Sequence, residues 1–194
     1  LAKTQLSLSQ FDTLLKTLEN QEFNDIEDKT YSLLLSAQAN LSLDKKEDAK
    51  SLIARANILN NGSLHTIFGN ALISSYDDNN EKALLLLDDI LKQDNEYLQA
   101  WLLKGSIYSK QKLFKKSADA YLQYHSLKPK DFGIQILAAH NLIRAGEHEL
   151  AKPHLEELRQ LNEEHPTINT LAAQLKFTEQ DYQNAKELAD KASM

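Results

Sequence analysis

Small side chains recur along this chain at a fixed step of 34 residues. Ala37, Ala71, Gly105, Ala139 and Ala173 form one series, and Ala49, Ala83, Ser117, Ala151 and Ala185 form a second. Four residues after the second series stand Ile53, Leu87, Tyr121, Leu155 and Ala189, and three further on stand Ala56, Ile90, Tyr124, Leu158 and Ala192. Spacings of four and three keep these side chains on one helical face. A period of this length marks a repeat architecture, and the pattern predicts two antiparallel helices, A and B, in each period. The first small series lets helix A approach helix B, and the second faces it from near the start of helix B. Polar tripeptides such as Asp44-Lys45-Lys46, Asp78-Asn79-Asn80 and Gly146-Glu147-His148 predict the tight turn inside each hairpin. A second connection closes each period around Asn60 to Ser63, Asp94 to Glu96, Lys128 to Asp131 and Glu163 to Pro166, where Gly62, Pro129 and Pro166 stop the helix. Gly69 and Gly105 fall inside helices and predict close backbone contact. Pro153 falls a few residues into a helix B, which predicts that this helix starts late or kinks.

The stretch from Ala100 to Pro129 resembles a tetratricopeptide repeat, through Trp101, Gly105 and Tyr108 in helix A, Phe114 at the turn, Tyr121 in helix B and Pro129 at the exit. It departs from that pattern at Lys104, Ser117 and Tyr124, where the family favours Leu, Ala and a small residue. Five registers in phase extend the resemblance over the whole chain. It implies an all-α, right-handed superhelical solenoid of antiparallel helix-turn-helix repeats. Full repeats are expected at 30–63, 64–97, 98–131 and 132–165, with partial repeats at 1–29 and 166–194. In the first partial repeat Leu1-Ala2 reads as the small-residue step of a helix A, with Phe11 near the turn and Leu14, Leu15 and Leu18 in a helix B. Neither side shows a polar capping helix, so the expectation is a segment of a longer array.

Composition agrees with helices. Glycine and proline together supply 8 of 194 residues, from 5 and 3, too few for a turn-rich sandwich or barrel. With no cysteine there is no disulfide, thiolate metal site or cysteine nucleophile. The 22 basic and 28 acidic residues leave a net charge of −6, which argues against a nucleic-acid footprint. The longest apolar run, Ala83 to Leu87, is far short of the roughly 20 residues of a membrane span. The expectation is therefore no membrane insertion, and cytoplasm and periplasm both remain open.

The resemblance also implies that A helices line a concave groove and B helices the convex side. The groove-facing set then comprises Tyr31, Leu34, Gln38 and Leu41, followed by His65, Phe68, Leu72 and Tyr76. It continues with Gln99, Leu102, Ser106 and Lys110, and with Ile136, His140, Ile143 and Arg144. Leu34, Phe68, Leu102 and Ile136 form a row at the repeat spacing. Two readings compete: these side chains pack between neighbouring A helices, or they receive an amphipathic helix or extended peptide. The carboxylate-clamp positions of some family members hold Leu34, Gly69 and Leu103, which are uncharged, so a chaperone-type clamp is not expected. Lys110 and Arg144 are the cations left to attract a carboxylate.

Nothing in the sequence reads as catalytic, and no cofactor or metal is expected. None of the six histidines stands three or four residues from another, the spacing that puts two ligands on one helix face. His154 and Glu157 share a face but do not by themselves make a metal site. Asp88-Asp89 and Glu156-Glu157 read as solvated charge, and no phosphate loop, nucleophile elbow or dinucleotide fingerprint is present. Lys115, Lys116, Lys128 and Lys130 lie near Tyr121 and Tyr124, but those tyrosines hold core registers.

The expected function is a protein-protein interaction scaffold that binds a partner peptide or helix through Leu34, Gln38, Phe68, Leu72, Leu102, Ser106, Lys110, Ile136, His140 and Arg144. An alternative is the substrate-recruiting or regulatory arm of a larger enzyme. The last two repeats also resemble bacterial arrays tied to envelope polysaccharide or secretion assemblies. Self-association through uncapped ends is a third reading.

Overall fold

The computed structural model of the chain describes residues 10–193. The reading of Leu1-Ala2 as part of a helix A lies outside the described residues. Those residues form eleven α-helices and no strand, in two compact units that divide between Asn95 and Glu96. The first unit holds α1 (Phe11–Glu19), α2 (Ile26–Ser42), α3 (Lys46–Leu59), α4 (Leu64–Tyr76) and α5 (Asn80–Gln93). The second holds α6 (Leu98–Lys110), α7 (Phe114–Leu127), α8 (Phe132–Arg144), α9 (His148–Leu161), α10 (Pro166–Thr178) and α11 (Tyr182–Ala192).

The period acquires a physical anatomy. From α4 to α9, a helix A of 13 residues, a three-residue turn, a helix B of 14 residues and a four-residue connection fill each 34-residue step. α2 is longer, at 17 residues, because the Asp25 carboxylate accepts a hydrogen bond from the Glu27 amide at 2.6 Å and starts the helix a turn early. Within the first unit α2 pairs with α3 and α4 with α5, α1 packs on α2, and α4 rests on both α2 and α3. Within the second the pairs are α6 with α7, α8 with α9 and α10 with α11. There α7 packs against α8, and α10 rests on α8 and α9.

Every hairpin turns in the same way. The middle residue of the turn has a left-handed backbone at Asp44, Asp78, Lys112, Gly146 and Gln180, which are themselves 34 apart. In the first turn the Lys45 amide donates to the Asn40 carbonyl at 2.8 Å and the Asp44 amide to Leu41 at 3.1 Å, and the other four turns repeat this pair. These bonds satisfy carbonyls that a helix end leaves open. Only one of the five positions is glycine, so four turns hold a side chain in a conformation that costs it energy.

The small-residue series marks where helices meet. A Cβ added to Gly105 would lie 2.5 Å from the Tyr121 ring, and one on Gly69 would lie 2.5 Å from Ile53 Cδ1. Ser117, fully buried, donates to the Gly105 carbonyl at 2.8 Å and ties α7 to α6. Both small series are buried throughout. The two apolar series of helix B are buried from Ile53 and Ala56 to Leu155 and Leu158, then emerge at Ala189 and Ala192. α9 begins at His148, in phase, and runs uninterrupted through Pro153, whose ring is exposed, so the late start does not occur.

Candidate functional site

The groove-facing set divides by burial. Leu34 and Phe68 are each 2% exposed, so neither offers surface to a partner. Their neighbours on the same helices remain partly accessible: Gln38 on α2 and Leu72 on α4 are half-buried. Tyr31 and His65 lie 4.6 Å apart, ring to ring, where α2 meets α4. Tyr76 donates its hydroxyl to the Asp44 carboxylate at 2.6 Å, and this bond, with some burial, holds the phenol above its ordinary pKa. Lys46 and Lys50 both pair with Asp77, and the hydrogen bond from Lys46 is the main cause of that carboxyl's lowered pKa. Asn57 on α3 and Asn70 on α4 exchange amide hydrogen bonds of 3.1 and 3.0 Å, closing the same seam with neutral groups.

In the second unit the predicted residues keep their surface. Leu102, Ser106 and Lys110 stand four apart on α6, and Ile136, His140 and Arg144 stand four apart on α8. Each set therefore runs along one face of its helix. Leu102 and Lys110 are exposed, Ser106 and Ile136 half-buried, and Arg144 exposed. The Ser109 hydroxyl lies 3.2 Å from Asn141 Oδ1 and donates to it, linking the two helices just behind these faces. The Arg144 guanidinium sits 3.9 Å from the centre of the Phe114 ring, a cation–π contact that fixes its position. His140 is held below the ordinary histidine pKa, first by burial and then by Arg144. Each stripe thus runs from an apolar residue through a small polar or neutral one to a cation near the C-terminal end of its helix, where the helix dipole favours positive charge.

A second polar cluster was not legible from spacing. His125 on α7 and His154 on α9 meet edge to face at 6.4 Å, and Gln135 on α8, fully buried, donates to Glu157 Oε2 at 2.7 Å. Burial and the facing His125 lower the pKa of His154, against a smaller upward pull from Glu157. The two histidines are 29 residues apart, a separation that is neither a helical turn nor the repeat period, so only the packing of α7, α8 and α9 joins them. Among the described residues no group of three histidine, cysteine, aspartate or glutamate side chains could hold a metal ion. No helix among them is long and apolar enough to cross a membrane.

No family model matches the sequence, and no curated protein matches it. Solved structures do. MamA residues 41 to the end from Desulfovibrio magneticus RS-1 superposes with a TM-score of 0.72 at 15% identity, covering 87% of this chain and 96% of that one. Pseudomonas aeruginosa pilF gives 0.71 at 16% identity over 87% and 77%. YrrB, described as a TPR protein with an unusual peptide-binding site, gives 0.68 at 15% identity over 94% and 90%. The chain has a tetratricopeptide-repeat fold. At these identities the likeness shows the fold alone, and within that TPR fold the α6 and α8 stripes lie on helices A.

Proposed function

We propose that the protein is a protein-binding scaffold whose contact surface in the second unit is the pair of stripes on α6 and α8. The observation that carries this reading is the parallel order of accessible side chains: Leu102, Ser106 and Lys110 beside Ile136, His140 and Arg144. A partner peptide would cover Leu102 and Ile136 with apolar side chains, meet Ser106 and His140 with hydrogen-bonding groups and place a carboxylate between Lys110 and Arg144. Removing the two apolar residues from water supplies the affinity, and the cations orient the peptide. The peptide-binding site described for YrrB supports the class of ligand. In the first unit Gln38 on α2 and Leu72 on α4, both half-buried, offer a surface of the same kind. Leu34 and Phe68 drop out of the binding set, because a side chain this deeply packed supports the helices that present the others.

The test is affinity capture from native lysate with the wild-type chain and with the triple variant Leu102→Glu, Lys110→Glu and Arg144→Glu. All three sites are exposed, so circular dichroism is expected to be unchanged. Proteins retained by the wild type are expected to be lost by the variant. Equal retention by both, with both folded, refutes the assignment of this surface.

A further inference from the structure

Between α3, α4 and the start of α5 lies an open polar cleft of about 290 Å³. One residue makes room for it. Ser74 on α4 stands in the register of Tyr108 and Leu142 in the two repeats that follow, and Leu142 is fully buried there. A serine in place of those large side chains leaves their space unfilled. Lys50 and Asn57 on α3, in the register of Leu84 and Leu91 one repeat later, make its wall polar.

Every carboxylate and amide oxygen lining the cleft already receives a hydrogen bond. Asp77 accepts from Lys46 and, at 3.2 Å, from Lys50, and Asn79 Oδ1 accepts from the Lys82 amide at 3.3 Å. Asn57 gives one amide N–H to the Ile53 carbonyl at 2.9 Å and the other to Asn70 Oδ1, while Asn70 returns one of its two to Asn57 Oδ1. What remains uncommitted is a set of donors. Asn70 keeps one N–H, and Lys82 lines the cleft without an ion-pair partner among the described residues. Ser74 is only 7% exposed, yet among the described residues its hydroxyl makes no hydrogen bond. Leaving a buried hydroxyl without a partner is costly, and a ligand acceptor in the cleft removes that cost.

Charge points the same way. Lys50 and Lys82 face a single carboxylate in the cleft, and Lys46 shares the neutralisation of Asp77. Glu47 and Glu81 lie in solvent, and Glu47 reaches Lys50 only at 3.8 Å. α5 begins at the edge of the cleft, where the open amides and dipole of its first turn favour an anion.

We infer that this cleft binds the phosphate group of a small molecule, as the free ion or as a short monoester. The phosphate receives the Ser74 hydroxyl, the Asn70 N–H and the Lys82 ammonium, and Lys50, held in place by Asp77, adds positive charge. Three terminal oxygens match three separate donors, whereas a carboxylate offers two. The volume lies at the small end of ligand sites, which limits the rest of the molecule to a short chain. The cleft shares no residue with the protein-binding surface on α6 and α8.

The test is isothermal titration calorimetry of the 194-residue chain at pH 7.5 and low ionic strength, with inorganic phosphate, glycerol 3-phosphate and, as the uncharged control, glycerol. Saturable binding is expected for at least one of the two phosphates, with a Kd of about 1 mM or below, and none for glycerol. Tighter binding of the ester assigns the cleft to a small phosphorylated molecule, and equal or tighter binding of inorganic phosphate assigns it to the free ion. Ser74→Leu, which restores the side chain of the Leu142 register, is expected to weaken binding by about tenfold or more with circular dichroism unchanged. Ser74→Ala, which keeps the space and removes the hydroxyl, is expected to weaken it about threefold, and Lys82→Gln, at an exposed position, about fivefold. Three results overturn the inference: no saturable binding of either phosphate at about 10 mM, undiminished binding by folded Ser74→Leu, and undiminished binding by Lys82→Gln. Capture through the α6 and α8 stripes is unaffected by Lys82→Gln, so the two proposals fail separately.

Discussion

Replacing Gly105 by alanine sets two effects of known sign against each other. Gly105 is the eighth residue of α6, and in a helix interior alanine is favoured over glycine by about 1 kcal/mol. Against this, the new methyl carbon would lie 2.5, 2.7 and 2.8 Å from Cε1, Cδ1 and Cζ of Tyr121, all inside van der Waals contact. The ring has little room to yield. Tyr121 is 5% exposed and packs with Tyr124, Ile134 and Ala138, while the Ser117 hydrogen bond to the Gly105 carbonyl holds the two helices together. Overpacking of this kind costs about 1–3 kcal/mol, so after the propensity gain the net loss is expected to be up to about 2 kcal/mol. Urea unfolding followed by the fluorescence of Trp101, the single tryptophan, reads this cluster directly. The same substitution in a Tyr121→Leu background removes the clash and leaves the propensity gain. There alanine is expected to stabilise by up to about 1 kcal/mol relative to the Tyr121→Leu parent, reversing the sign. Gly133→Ala is the control: its methyl group would meet only Asp131 Oδ1, at 3.6 Å, and a gain of a few tenths to about 1 kcal/mol is expected. If Gly105→Ala stabilises the wild type as much as it stabilises Tyr121→Leu, the close contact between α6 and α7 does not exist.

Lys112→Gly and Gln180→Gly are each expected to raise stability by about 0.5–1 kcal/mol because both residues hold left-handed backbone, whereas Gly146→Ala is expected to lower it by about 1 kcal/mol; chemical denaturation measures all three. Phe68→Glu is expected to destabilise the first unit by at least about 4 kcal/mol, read by loss of helical circular dichroism in urea, while Leu102→Glu changes stability by about 1 kcal/mol or less. His140 and His154 have depressed pKa values in the folded state, so the unfolded chain binds their protons first. Their contribution is fully present above the ordinary histidine value of 6.5 and is lost as pH falls below it toward the folded values; His154→Gln is expected to flatten the fall in Tm between pH 7.5 and 5.5. Tyr124 shows the opposite sign: burial and its hydrogen bond to Asp131 push its phenol up to about 12, so stability present below pH 10 is lost as pH rises through that value, which a Tyr124→Phe comparison of Tm at pH 8 and 11 measures.

The helices and their turns were legible because burial in a repeat array is imposed locally, by one helix on the next. Gly105 is the clearest case: its place in the small-residue series predicts a close approach of helix A to helix B, and the structure sets it against the Tyr121 ring. The turns were placed within a residue, and the left-handed position was missed because only Gly146 among the five advertises it with glycine. The groove set was harder. Leu34, Phe68, Leu102 and Ile136 share one register, yet the first two are sealed and the last two retain surface. A period specifies equivalent positions on equivalent helices, whereas exposure depends on the size of what stands beside them. Phe68, for example, fills its own site completely. The pairing of His125 with His154 lay beyond reach for a related reason: it is a contact between two helices B across α8, and no local spacing encodes it.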